Sequence, residues 1–204
     1  MTRDELIKEL IDDGYLKTPR IIEAFKKIDR QDFVPEEYQA DAYINAPLPI
    51  GFSQTISQPL TVAFMLELLE PKTGEKILDV GSGSGWTTAL LSEIAGLAGR
   101  VWGVERIPEL VDFGQKNLAK YKFKNAEIVL SGAEIGLPDK APFDKILVSA
   151  AAEKIPEELK NQLKAGGRMV IPIQNKVTLL EKISGANFKI KEFSGFSFVP
   201  LIKD

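Results

Sequence analysis

Lys76-Ile77-Leu78-Asp79-Val80-Gly81-Ser82-Gly83-Ser84-Gly85-Trp86 decides how this chain folds. Ile77, Leu78 and Val80 form a short apolar run, the mark of a strand buried on both faces of a parallel sheet. Three glycines follow at every second position, and Thr87 to Ile94 then reads as a helix. Strand, glycine-rich turn, helix is the opening unit of a doubly wound α/β fold built to hold a nucleoside ligand. Glycine lets the backbone turn tightly and lets a ligand approach where a Cβ would clash.

Spacing narrows the ligand. A dinucleotide fingerprint is Gly-x-Gly-x-x-Gly, with a pyrophosphate at the helix N-terminus. Here the third glycine comes one residue early, and the Gly-Lys-Ser/Thr ending of a phosphate-binding P-loop is absent. A strand-borne Asp79 followed by Gly81-x-Gly83-x-Gly85 resembles the first motif of class I S-adenosylmethionine-dependent methyltransferases. That resemblance implies a mostly parallel, Rossmann-like sheet and a cofactor without phosphate, with Asp79 near its amino group. Arg100-Val101-Trp102-Gly103-Val104-Glu105 is a second apolar run ending in an acid. A carboxylate there, roughly 20 residues past the glycine turn, is placed to accept hydrogen bonds from ribose hydroxyls.

Composition bounds the remaining classes. The 204 residues suit one domain. A hydrophobic fraction of 44% and a charged fraction of 27% are those of an ordinary globular protein. Net charge is −3 with no dense basic block, so nucleic acid is not an expected partner. With no cysteine there is neither a disulfide framework nor a thiolate metal site. With no histidine, Ser-His and Cys-His nucleophiles and His-ligated metals are excluded, and no metal is expected. No apolar run is long enough to cross a bilayer, and the first residues do not resemble a signal peptide. The expectation is a cytoplasmic monomer without a membrane partner.

In chain order, residues 3–12 read as an amphipathic helix with Leu6, Leu10 and Ile11 inward. Thr18-Pro19 reads as the N-cap and first turn of a second helix, with Ile21, Ile22, Phe25 and Ile28 on one face. Phe33-Val34-Pro35 and Pro47-Leu48-Pro49 read as irregular, because proline cannot donate to a ladder. Residues 1–58 thus form a helical and extended cap that carries a polar loop, Gln54 to Gln58. Residues 59–204 form the α/β core. It has a helix over 59–70, strands at 126–130, 143–149 and 169–173, and a helix over 155–164 stopped by Gly166-Gly167. Two C-terminal strands, 177–184 and 188–198, are at least partly antiparallel.

Taken together these segments resemble the protein-L-isoaspartate (D-aspartate) O-methyltransferase family from roughly Arg30 to Ile202. The likeness rests on Phe33-Val34-Pro35-Glu36, Leu48-Pro49-Ile50-Gly51, Gln54-Thr55-Ile56-Ser57-Gln58-Pro59, the glycine turn, and Val104-Glu105-Arg106. It continues through Ala141-Pro142-Phe143-Asp144, Ile155-Pro156, Gly166-Gly167 and Phe198-Val199-Pro200-Leu201. Read alone, the Gln54–Gln58 loop is a capped turn; the resemblance makes it the acceptor loop. It implies a cytosolic enzyme that moves a methyl group from S-adenosylmethionine to the free carboxylate of isoaspartyl residues in damaged proteins and peptides. Succinimide formation from the methyl ester and its hydrolysis then return some aspartate. The resemblance implies Ser57 as the hydroxyl that orients the acceptor. Gln54, Thr55, Ile56, Ala151 and Val199 complete the acceptor side. Asp79, Gly81, Ser82, Gly83, Gly85, Glu105, Arg106, Gly132 and Ala133 form the cofactor side.

The chain departs from that pattern in four places. Ser131-Gly132-Ala133 stands where Gly-Asp-Gly is usual, which removes a carboxylate from the adenine side and implies weaker cofactor binding; Glu134 sits two positions on. Ser53 replaces a glycine, Ala152 a proline, and Ser197 an arginine. Alternatives are a class I methyltransferase with another carboxylate or hydroxyl acceptor, a non-catalytic peptide-binding paralogue, and a nicotinamide-dependent oxidoreductase, which the glycine spacing opposes.

Overall fold

A computed structural model describes residues 1–202. The chain opens with helices α1 (Arg3–Asp12) and α2 (Pro19–Lys27). Thr2 and Glu5 form a reciprocal cap on α1, each side chain accepting from the other's backbone amide. The buried face of α1 is Leu6, Ile7 and Leu10; the expected Ile11 is exposed. A helix stripe holds about three apolar residues per two turns, and Ile11 falls at its rim. Thr18 does not cap α2 with its own side chain. Glu67, from the next long helix, accepts from the Lys17 and Thr18 amides, and the Thr18 hydroxyl donates to it at 2.7 Å. Two short 3₁₀ stretches follow, Arg30–Phe33 and Glu36–Asp41.

Strands β1 (Leu48–Gly51) and β2 (Gln54–Ile56) form an antiparallel hairpin, with Leu48 opposite Ile56 and Pro49 opposite Thr55. This corrects the irregular reading of Pro47-Leu48-Pro49. Pro49 is tolerated because the ribbon has only two strands, so its missing donor can face outward. The turn residues Phe52 and Ser53 both have positive φ, 54° and 57°. That backbone matches the twist of a two-residue hairpin turn.

The core alternates strand and helix: α3 (Pro59–Leu69), β3 (Lys76–Val80), α4 (Trp86–Ala95), β4 (Arg100–Glu105), α5 (Pro108–Ala119), β5 (Ala126–Leu130), β6 (Phe143–Val148) and α6 (Glu157–Gln162). Three strands close the chain: β7 (Leu163–Ile173), β8 (Lys176–Ser184) and β9 (Asn187–Ser194). The sheet order is β5-β4-β3-β6-β7-β8-β9. Pairing is parallel from β5 to β7, while β8 is antiparallel to both neighbours. The doubly wound, mostly parallel sheet is therefore as expected. Ile77, Val101, Leu147 and Val170 face one apolar cluster. Leu78, Val80, Val104 and Ile146 face the other.

Two boundaries differ. The helix expected over 155–164 is only Glu157–Gln162, and Gly166-Gly167 lies inside β7 rather than stopping a helix. A Cβ on Gly167 would sit 2.8 Å from the Asp144 carbonyl, so the pair lets β7 approach β6 where their register shifts. The last strand ends at Ser194, not Phe198. Gly195, at φ 100°, turns the chain back across the sheet end.

Candidate functional site

The cleft sits at the carboxyl ends of β3, β4 and β6. There the chain leaves β3 toward β4 and β5 and later returns to β3's other side as β6. Open α/β sheets collect ligands at such a reversal. The cleft encloses about 1000 Å³ of atom-free space, its open mouth included.

Most of the residues read from sequence meet here. Gln54, Thr55, Ile56 and Ser57 line one wall from the hairpin. Gly81, Ser82 and Gly83 form the floor, Glu105 and Arg106 stand at the end of β4, and Gly132 and Ala133 follow β5. Val199 enters from the C-terminal tail. Three do not line it: Asp79, Gly85 and Ala151. Ala151 lies behind the tail and holds it in place. Its amide donates to the Val199 carbonyl, and its carbonyl accepts from Leu201, both at 2.7 Å.

Asp79 is displaced by strand geometry. Side chains alternate along β3, so Asp79 shares the face of Ile77 and points toward α4. It is fully buried, and one oxygen accepts from the Thr87 and Thr88 hydroxyls at 2.7 and 2.6 Å. The other oxygen has no partner. Burial pushes its pKa up to about 6, the two threonine hydroxyls hold it down in part, and the Glu105 charge adds to the rise. Asp79 thus pins the first turn of α4 from behind.

The glycine turn is occupied from within. The Gly81 and Ser82 amides both donate to the Val104 carbonyl, and the Gly85 amide donates to Ser82. The Gly83 amide donates to Glu105 Oε2 at 3.0 Å. Four amides of the turn are thereby engaged inside the protein. A Cβ at Gly81 would meet nothing nearer than 3.9 Å, so space for a ligand opens there, in a backbone at φ 77° that suits glycine. Gly83 instead lies under Ile50 of the hairpin, and Gly85 against α5. Glu105 is nearly buried, and its other oxygen accepts from the Arg106 and Ile107 amides at 2.8 and 3.1 Å. A carboxylate has about four acceptor positions. Three are filled, and one remains for a ligand hydroxyl.

Sequence reasoning missed the support of the turn. A Cβ on Gly114 of α5 would lie 2.9 Å from the Gly83 carbonyl, and Asn117 donates to the Ser84 carbonyl at 2.9 Å. Gly103 leaves room for Thr88 and Ser82. One signal was available: an isolated glycine inside a helix, as at Gly114, costs about 1 kcal/mol and needs a packing reason. Trp86, Glu134, Ser149 and the tail through Ile202 also line the cleft.

The sequence model of the family described as protein-L-isoaspartate(D-aspartate) O-methyltransferase matches residues 1–204. A protein-L-isoaspartate O-methyltransferase of Methanopyrus kandleri is 45% identical, over 98% of this chain and 91% of its own. One from Ignicoccus hospitalis is 43% identical, over 98% and 97%. Among solved structures, a Plasmodium falciparum chain assigned to the same activity, in complex with S-adenosyl-L-homocysteine, superposes with a TM-score of 0.88. It is 26% identical, and the match covers all of both chains.

Proposed function

The chain belongs to the protein-L-isoaspartate(D-aspartate) O-methyltransferase family, and on that premise we propose how its cleft carries out the reaction. The enzyme transfers a methyl group from S-adenosylmethionine to the free carboxylate of L-isoaspartyl residues in proteins and peptides. One observation carries the reading: the Gln54–Ser57 loop and the Gly81–Gly83 turn with Glu105 are two walls of one cleft.

When bound, S-adenosylmethionine supplies a methyl carbon on a cationic sulfonium. Gly81 would leave room for it, Glu105 would hold a ribose hydroxyl with its remaining acceptor position, and the Gly132–Ala133 segment would wall the base. The acceptor is a carboxylate with an ordinary pKa near 4, so it arrives ionised and needs no general base. That suits a chain with no histidine. Ser57 orients one carboxylate oxygen through its hydroxyl, while Ile56 and Val199 exclude water beside it. Catalysis is then mostly positioning.

Gly132 tunes affinity. A Cβ there would meet nothing within 4 Å. Gly132→Asp should be tolerated sterically and should tighten cofactor binding by up to about tenfold, the worth of one hydrogen bond. Calorimetric titration with S-adenosylhomocysteine tests this, and an unchanged constant would remove Gly132 from the cofactor wall. We also place the enzyme in the cytoplasm as a monomer, without nucleic-acid or membrane partners. The cysteine-free, acidic composition supports that setting, and light scattering tests the monomer.

The deciding experiment is labelled-methyl transfer to a short isoaspartyl peptide beside its aspartyl counterpart. Base-labile label on the isoaspartyl peptide alone is expected. Cofactor binding with label on neither would favour another acceptor or a non-catalytic binder.

A further inference from the structure

Among the described residues, Arg30 is a buried cation with no carboxylate partner. Its side chain is 2% exposed, and burial lowers its pKa to about 10, with no charged partner contributing. Its terminal nitrogens donate to four backbone carbonyls: Ala42 at 2.5 Å, Ile44 at 3.5 Å, Ala46 at 2.9 Å and Ser57 at 3.1 Å. Its guanidinium carbon lies 5.4 Å from the centre of the Trp86 ring, which Phe25 braces edge-on from 5.6 Å. Trp86 lines the cleft beside the glycine turn. One planar group therefore touches both the acceptor loop and the cofactor wall. Through the 42–46 turn it also reaches Asn45, whose side-chain oxygen accepts from the Leu60 amide and whose carbonyl accepts from the Gln58 side chain.

A buried charge with no counter-ion is costly, and apolar packing alone would be a cheaper way to fill the site. What an apolar side chain lacks is a rigid fork that fixes several carbonyls while its charge lies over an indole. We propose that Arg30 is a positioning residue. It sets the backbone of Ser57 relative to Trp86, and so sets the distance between acceptor oxygen and methyl donor. The proposal rests on the assignment of Ser57 to the acceptor side.

The test uses the full chain with Arg30→Met and Arg30→Lys. Lysine keeps the charge but loses the fork. Amide hydrogen exchange in both variants is expected to quicken by about tenfold or more over residues 42–46 and 54–60, with β3, β4 and β6 as protected as before. Turnover per folded molecule is expected to fall by about 100-fold, as for a misplacement of about 1 Å, with the S-adenosylhomocysteine dissociation constant within about threefold of wild type. Arg30→Ala should regain part of its turnover in added guanidinium at concentrations below denaturation. Unchanged exchange over 54–60 overturns the proposal whatever the acceptor is. Quickened exchange with normal turnover per folded molecule also overturns it, leaving Arg30 a stabilising residue. A wild-type protein that methylates no isoaspartyl peptide would instead count against the functional reading, and exchange would still judge Arg30.

Discussion

A carboxyl group shut away from water holds its proton longer, and Asp79 is the instance that matters here. Its pKa is raised to about 6 in the folded chain, chiefly by burial, against about 3.9 when unfolded. Below pH 4 both states are protonated. As pH climbs from 4 to 6 the unfolded chain releases that proton while the folded chain keeps it, so stability falls; above 6 the loss is complete. Relative to Asp79→Asn, the wild type should therefore lose about 2 kcal/mol between pH 4 and pH 7, read by urea melts of both proteins. Parallel curves would mean that Asp79 titrates normally. Glu105 accepts from three backbone amides. Glu105→Ala strips those amides of their acceptor and removes the proposed ribose contact. The S-adenosylhomocysteine dissociation constant should rise at least about tenfold in calorimetry, and the ligand-free protein should melt earlier. Both acids were legible as types and spacings. Which of them lines the cleft was not, because that depends on the side of β3 and β4 from which a side chain leaves.

Helix α5 approaches the glycine turn so closely that only a hydrogen fits at Gly114. Propensity alone says that Gly114→Ala should stabilise a helix interior by about 1 kcal/mol. The structure reverses the sign. The new Cβ would lie 2.7 Å from the end of Ile128 and 2.9 Å from the Gly83 carbonyl, and overpacking of this kind costs about 1–3 kcal/mol. Gly114→Ala should lower the melting temperature and weaken cofactor binding together; a stabilised variant would contradict the close approach. Elements with a strong apolar period, α3, β3, β4 and β6, were readable nearly to the residue. The hairpin was not, because Pro49 mimics a break and its pairing needs only two strands. The start of β7 was hidden too, since Gly166-Gly167 serves a close strand approach yet looks like a helix stop.

At the scale of the whole molecule, the reversal of strand order and the returning tail bring segments far apart in the sequence to one cleft. The motifs named the participants; the strand order that gathers them could not be read from the chain. Ligand binding should consequently stabilise the entire fold. At 100 times the dissociation constant, S-adenosylhomocysteine should add about 2.7 kcal/mol, a rise of about 5–10 °C in melting temperature for a chain this long. ATP and NAD at equal concentration should give none, and an equal rise with either would contradict a cleft selective for the methyl donor. With the Gly81, Ser82, Gly83 and Gly85 amides turned inward, the backbone itself rather than any side chain shapes this part of the floor. Substituting a side chain of the turn leaves those hydrogen bonds in place, so the shape would change only if the loop were rebuilt.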